Sequence, residues 1–180
     1  METWIERETL YRGRIITLET GRVRLDDGTI VQREVMRHPG AVAVAPFIEE
    51  RVVLVRQYRV AIEQETLEIP AGKIERSEDP VSRGLQELRE ETGLIASKLI
   101  PAGAIYPSAG ILDEKMYLYL AFDLVRAEQR LDHDERIEVV ELTLHEVRRK
   151  LRAHEFVDAK TIVGLHALLT YIDEQNSSEE

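Results

Sequence analysis

The chain has 180 residues, 43% of them hydrophobic and 32% charged, which suits one domain with an ample core, a soluble surface and at most a small extension. Its net charge of −10, from 34 acidic against 24 basic residues, argues against nonspecific nucleic-acid binding, which needs basic patches to displace counterions. It has no cysteine, which excludes disulfides, thiolate catalysis and zinc–sulfur sites and is compatible with a reducing, cytoplasmic setting.

The N-terminal stretch is charged and lacks an apolar core, so it does not read as a signal peptide. No apolar run approaches the roughly 18 residues that would mark a membrane span. Residues 1–38 read as an antiparallel β unit. Arg14 to Leu25 alternates in part, Thr29 to Met36 is rich in β-formers, and Asp26-Asp27-Gly28 between them is a hairpin turn signal. So small a sheet is hard to stabilise alone and must pack on its own domain or on a second subunit.

Ala41 to Ile48 and Arg51 to Tyr58 are nearly continuous apolar runs around Glu49-Glu50, as expected of strands buried on both faces. The second run ends in Arg56-Gln57-Tyr58-Arg59. These arginines suit either an ion pair at the sheet rim or a bidentate grip on phosphate, and the residues alone leave both open. Leu67 to Gly72 then forms a short strand that Pro70 and Gly72 turn outward.

A helix follows. Asp79 is a good N-cap, Pro80 stands at the first helical position and Gly93 marks the end. Val81, Leu85 and Leu88 would face a core. Glu87 and Glu91 lie one turn apart on another face, beside Glu90, with the small Gly84 one turn earlier. One reading is a solvated acidic face, which Arg83 supports because it could pair with Glu87 four residues on. The other is that hard divalent cations sit between the carboxylates.

Leu99 to Tyr106 and Met116 to Leu124 read as strands. The stretch between them, Pro107 to Lys115, is longer than a hairpin needs and is a candidate binding loop. Residues 126–136 form a polar loop dense in acids, and Arg136 to Leu142 is another strand. Thr143 with Glu146 makes a capping box for a helix with Leu144, Val147 and Leu151 inside. Asp158 caps a last helix carrying Ile162, Leu165, Leu169 and Ile172 on one face, and Asn176 to Glu180 reads as a frayed tail. The histidines, His38, His133, His145, His154 and His166, are scattered without metal spacing.

The stretch from Gly72 to Leu94 resembles the Nudix box. Its Gly72, Glu78, Glu87, Leu88, Glu90, Glu91, Gly93 and Leu94 match in order and spacing, without a gap. One specified position departs: Gln86 stands where the family has an arginine that helps hold the acidic side chains, and Arg83 and Arg89 lie one turn to either side. Beyond the box, the order of elements resembles the ADP-ribose pyrophosphatase branch over nearly the whole chain.

The resemblance implies an α/β fold, the Nudix α/β/α sandwich with a mixed sheet, plus a small N-terminal antiparallel β extension. It implies that residues 1–38 are a β subdomain exchanged across a homodimer and that residues 39–180 are the hydrolase domain. It implies Mg²⁺, with Mn²⁺ as the alternative ion, held by Glu87, Glu90, Glu91 and the carbonyl of Ala71. Glu135 matches a catalytic glutamate on the loop before the last strand, with Asp134 as the alternative. Glu87 and Glu91 complete the catalytic set. Arg56 and Glu68 match positions near the diphosphate or terminal ribose, and Arg59 shares the phosphate role with Arg56. Arg33 matches a position that stacks on adenine in some relatives, and Asp113 and Glu114 lie on a loop that closes on substrate.

The implied activity is hydrolysis of the diphosphate bond of a nucleoside diphosphate sugar. ADP-ribose, giving AMP and ribose 5-phosphate, is the first candidate. The branch usually carries a marker proline sixteen residues past the second glycine of the box, where this chain has Ala109. That departure keeps ADP-glucose and GDP-mannose open as substrates, and with Gln86 it keeps open a catalytically silent nucleotide sensor.

Overall fold

Alternation along single strands decides which side of the larger sheet each residue serves. The computed structural model describes residues 1–75, 78–131, 133 and 135–178. They divide into two compact units, one of residues 1–40 and 106–115, the other of residues 41–105 and 116–180.

In the first unit, β1 (Thr3–Arg12), β2 (Thr17–Arg24) and β3 (Ile30–Arg37) form an antiparallel sheet in that order. The hairpin turn falls where its sequence signal lies. The Leu25 N–H donates to the Thr29 carbonyl at 2.9 Å, and the Thr29 N–H to the Asp27 carboxylate at 2.9 Å. The strand β1 has no counterpart in the sequence reading. Nearly all its side chains are exposed, so it carries no buried face to announce it. The loop of residues 106–115 joins this unit through Met36, whose N–H donates to the Ile111 carbonyl at 2.7 Å and whose carbonyl accepts from the Asp113 N–H at 3.1 Å.

The second unit begins with β4 (Ala41–Ile48) and β5 (Arg51–Arg59), joined at Glu49 and Glu50, both with positive φ. Next come β6 (Gln64–Glu68), β7 (Ala71–Lys73) and the helix α1 (Pro80–Thr92). The remaining elements are β8 (Leu94–Ile95), β9 (Leu99–Ile105), β10 (Met116–Ala121), β11 (Val125–Arg126), β12 (Glu138–Thr143), α2 (Leu144–Arg152) and α3 (Ala159–Ser178). The main sheet runs β12-β5-β4-β10-β9, with β6 on β5 and β7 on β4. It is mixed: β10 pairs parallel with β4, and its other pairings are antiparallel.

In β4, Ala41, Ala43 and Ala45 point into one core with Leu165, Leu168 and Phe156, while Val42 and Val44 point into another with Leu88 and Leu94. Strand β10 repeats this with Met116, Leu118 and Leu120 against Tyr119 and Ala121. A strand with period 2 and helices on both faces must be apolar throughout, which is why these runs are continuous. Helix α1 therefore covers one face and α2 and α3 the other, an α/β/α sandwich. Helix α3 continues to Ser178, past the point where sequence suggested fraying.

Leu88 is the anchor of α1. Of the apolar residues expected to face the core, it is fully buried, Leu85 is half-buried and Val81 is exposed. Leu88→Ala is expected to lower the free energy of unfolding by about 2–5 kcal/mol, measured by urea titration.

Candidate functional site

Both ends of α1 are built by the sequence signals that named them. The Asp79 carboxylate accepts from the Ser82 N–H at 2.9 Å, and Pro80 opens the first turn. Gly93 closes the helix at φ 69, and its N–H donates to the Arg89 carbonyl at 2.9 Å. The last carbonyls of a helix need outside donors. Here a following loop supplies them: the Ala127 N–H bonds Gly93, the Arg130 N–H bonds Glu90, and the Gln129 amide bonds Glu91 at 2.6 Å. The loop that leads to Glu135 is thereby stitched to the end of α1.

The acidic face of α1 is not solvated. Glu87 is 4% exposed and Glu91 3%. Glu91 accepts from the Ala71 N–H at 2.9 Å. Glu87 lies against the backbone of Gly72, where an added Cβ would sit 1.5 Å from its carboxylate oxygen. Glycine at 72 is therefore a requirement of close approach. On its other side Glu87 accepts from Arg83, whose second terminal nitrogen lies 3.8 Å from Glu90. Gln86 donates to the other Glu90 oxygen at 2.8 Å. Arg83 thus supplies a positive charge to these carboxylates, while Gln86 contributes a neutral hydrogen bond.

Burial pushes the Glu87 carboxyl up to about 7. Arg83 opposes this, and Glu90 and Glu135 add to it. Burial likewise pushes Glu91 up to about 8, helped by Glu87 and Glu135 and resisted by the Ala71 N–H and by Lys160. Glu135 therefore lies within electrostatic range of both buried glutamates. Asp134, the alternative to it, lies outside the described residues. Glu87 and Glu90 share the Arg83 guanidinium, while Glu91 has the Ala71 N–H and the more distant Lys160 to offset its burial, and a buried charge so weakly answered is costly.

Among the described residues, no three acidic or histidine side chains already converge into a coordination shell. The guanidinium of Arg83 stands between Glu87 and Glu90 instead. The donor chemistry nonetheless fits a hard divalent cation: oxygen donors only, buried, short of positive charge, and set against backbone that a side chain would obstruct.

A third buried carboxylate has the opposite fate. Glu68, 1% exposed, receives Arg59 at 2.7 and 2.5 Å, the ammonium of Lys160 and the hydroxyl of Thr66. Lys160 also donates to Asp158 at 2.9 Å, which caps α3 by accepting from the Thr161 N–H at 3.0 Å. Burial alone would raise the Glu68 pKa, but Arg59, Lys160 and Thr66 outweigh it and hold the group at about 2. Arg59 and Glu68, expected at the phosphates or ribose, are thus joined in a closed ion network. Arg56 pairs with Glu138 at 2.9 Å on the exposed rim, the first of the two readings its motif allowed. Lys160 was not legible in sequence, where a lone lysine in the first turn of an apolar helix gives no sign of its partner on β6.

Three further candidates belong to the other unit. Arg33 forms a two-pronged pair with Glu2 at 3.0 and 2.6 Å. Asp113 accepts from Arg37 at 3.1 Å and from the His38 N–H at 2.8 Å. Glu114 lies 3.4 Å from the His38 imidazole.

Because the folded-state pKa of Glu68 is depressed from 4.5 to about 2, its stabilisation is complete above about pH 4.5 and is lost as pH falls towards 2. Its size is on the order of 3 kcal/mol. Urea titrations across that window are expected to show this loss in the wild type. Glu68→Gln should start several kcal/mol lower, with Arg59 and Lys160 left unpaired, and should lack this component of the pH dependence.

Residues 36–163 match the family described as the NUDIX domain. The chain is 39% identical over 170 residues to the ADP-ribose pyrophosphatase of Bacillus subtilis, covering 93% of this chain and 92% of that protein. It is 38% identical to the methanol dehydrogenase activator of Bacillus methanolicus, with the same coverage of 93% and 92%. It is 33% identical to the ADP-ribose pyrophosphatase of Mycobacterium tuberculosis, over 92% of this chain and 84% of that protein. A crystal structure of an ADP compounds hydrolase superposes with a TM-score of 0.85 over 97% of this chain and 95% of that one, and at 24% identity this speaks to the fold alone. The box residues gathered on α1, the mixed sheet between its helices and a family match that spans most of the sequence agree: this chain belongs to the Nudix hydrolases.

Proposed function

We propose that the chain hydrolyses the diphosphate bond of a nucleoside diphosphate sugar in a Mg²⁺-dependent reaction, with ADP-ribose as the first substrate, giving AMP and ribose 5-phosphate. The observation that carries the chemistry is the buried pair Glu87 and Glu91 on one face of α1, both within the field of Glu135. The choice of substrate is supported by the likeness to ADP-ribose pyrophosphatases along almost the whole chain.

Glu87, Glu90 and Glu91, with the carbonyl of Ala71, would hold the divalent cation, which when bound offsets the diphosphate charge and acidifies water. The protein's own groups do the rest. Glu135 takes a proton from the attacking water as that oxygen bonds to phosphorus and the bridging P–O bond breaks. Helix α1 fixes the carboxylates through its caps and through Leu88, so they need not be ordered during the reaction. Arg56, on the exposed rim, is available to exchange Glu138 for a substrate phosphate. Arg59 and Glu68 serve by bracing β5 and β6 beside the site, and direct contact would require their network to open.

Residues 1–38 are proposed to be exchanged across a homodimer, bringing Arg33 to the substrate, and the loop with Asp113 and Glu114 is proposed to close on it. The exposed apolar side chains of Ile5, Leu10, Tyr11 and Ile15 support this. A single-chain mass by light scattering would overturn that part.

Two measurements test the reaction. Release of AMP from ADP-ribose with Mg²⁺, run beside ADP-glucose and GDP-mannose, is expected to favour ADP-ribose. Glu91→Gln is expected to lower turnover by several orders of magnitude while the protein still unfolds cooperatively. Turnover of another sugar alone would move the specificity to the loop at Ala109. Nucleotide binding without turnover would favour the sensor reading that Gln86 and Ala109 keep open. Gly72→Ala is expected to cost about 100-fold in turnover, because the added Cβ drives Glu87 off its position.

A further inference from the structure

Arg83 lies one turn before Glu87 and two turns before Glu90 on α1, and it spans both. One terminal nitrogen bonds Glu87 and the other lies 3.8 Å from Glu90. The side chain is 19% exposed, and its Nε is buried with no hydrogen-bond partner. That is an unusual use of arginine. The guanidinium fork usually makes two parallel bonds to one carboxylate, and a buried N–H without an acceptor is unfavourable. Here the fork is divided between two carboxylates and a donor is left over. A unit positive charge is being used as a bridge between groups that repel each other.

Gln86 explains why the bridge is needed. It bonds Glu90 at 2.8 Å but brings no charge, so Arg83 is the guanidinium bonded to this face of the helix among the described residues. A cation held by the same carboxylates would compete with the guanidinium of Arg83 for their negative charge.

We infer that Arg83 is a positioning residue that clasps Glu87 and Glu90 in the metal-free protein and competes with a divalent cation for them, so that it weakens and sets the metal affinity of this chain. This rests on the assignment of Glu87 and Glu90 as metal-holding residues in the proposed function. Removing Arg83 removes the competing positive charge, and it loosens the metal-free site that a bound cation would then hold together.

The test is Mg²⁺ titration by calorimetry, with thermal unfolding measured with and without Mg²⁺, on the wild type, Arg83→Gln and Arg83→Lys. Arg83→Gln is expected to bind Mg²⁺ about tenfold more tightly. Its Tm should be lower without metal, and it should gain more than the wild type when Mg²⁺ is added. Arg83→Lys keeps a charge but cannot bridge, and should fall between the two. If Arg83→Gln does not fold, the comparison of Arg83→Lys with the wild type decides by the same signs. Equal or weaker Mg²⁺ affinity in the variants would overturn the inference while leaving the proposed function intact. A wild type that neither binds Mg²⁺ nor shifts its Tm with it would overturn the proposed function, and this inference with it.

Discussion

Two like charges buried one helical turn apart are the constraint around which the second unit is arranged. Glu87 and Glu91 could hardly be placed less favourably, both withdrawn from water and each within reach of the other's field. Every nearby feature bears on that cost. The Ala71 N–H supports Glu91, Gly72 gives up a side chain to admit Glu87, and Arg83 is stretched across two acceptors. These contacts offset the burial only in part, since both carboxyls still stand well above their ordinary value.

The contrast with Glu68 gives that imbalance its meaning. Glu68 is as deeply buried, yet Arg59, Lys160 and Thr66 hold it near 2, whereas Glu87 and Glu91 stand near 7 and 8. The two sets are neighbours, since Lys160 is felt by Glu91 and Glu91 by Arg59. One carboxylate is fully answered by its partners, while the pair is under-answered, as the proposed chemistry would need. Environments that drive adjacent acids apart in this way are how one scaffold separates structural from reactive groups.

Much of this was legible in the sequence because it is encoded locally. Asp79, Pro80 and Gly93 fixed the ends of α1, Thr143 with Glu146 fixed the start of α2, and the apolar runs of β4 and β5 announced a sheet covered on both faces. The box spacing gathered the glutamates onto one helix. What sequence did not give was local only in appearance. Strand β1 has an almost wholly exposed pattern and so no period to detect. The Lys160–Glu68 pair joins residues 92 apart, which no spacing rule reaches. Arg83 was visible as a partner for Glu87, but its second reach to Glu90 depends on a side-chain path that burial dictates.

The first unit is discontinuous along the chain. Its sheet spans Thr3 to Arg37, yet the segment that Met36 and Arg37 hold comes only after most of the main sheet has been threaded, with Arg37 and Asp113 76 positions apart. A ribosome would release β3 long before its partner loop exists. The loop's ends are set by β9 and β10, so closing it must wait for those strands to pair. For the same reason no single cut separates the units: a fragment ending at residue 40 would leave Met36 without Ile111 and Arg37 without Asp113. The unit is therefore inherited, synthesised and engineered only together with the sheet that interrupts it.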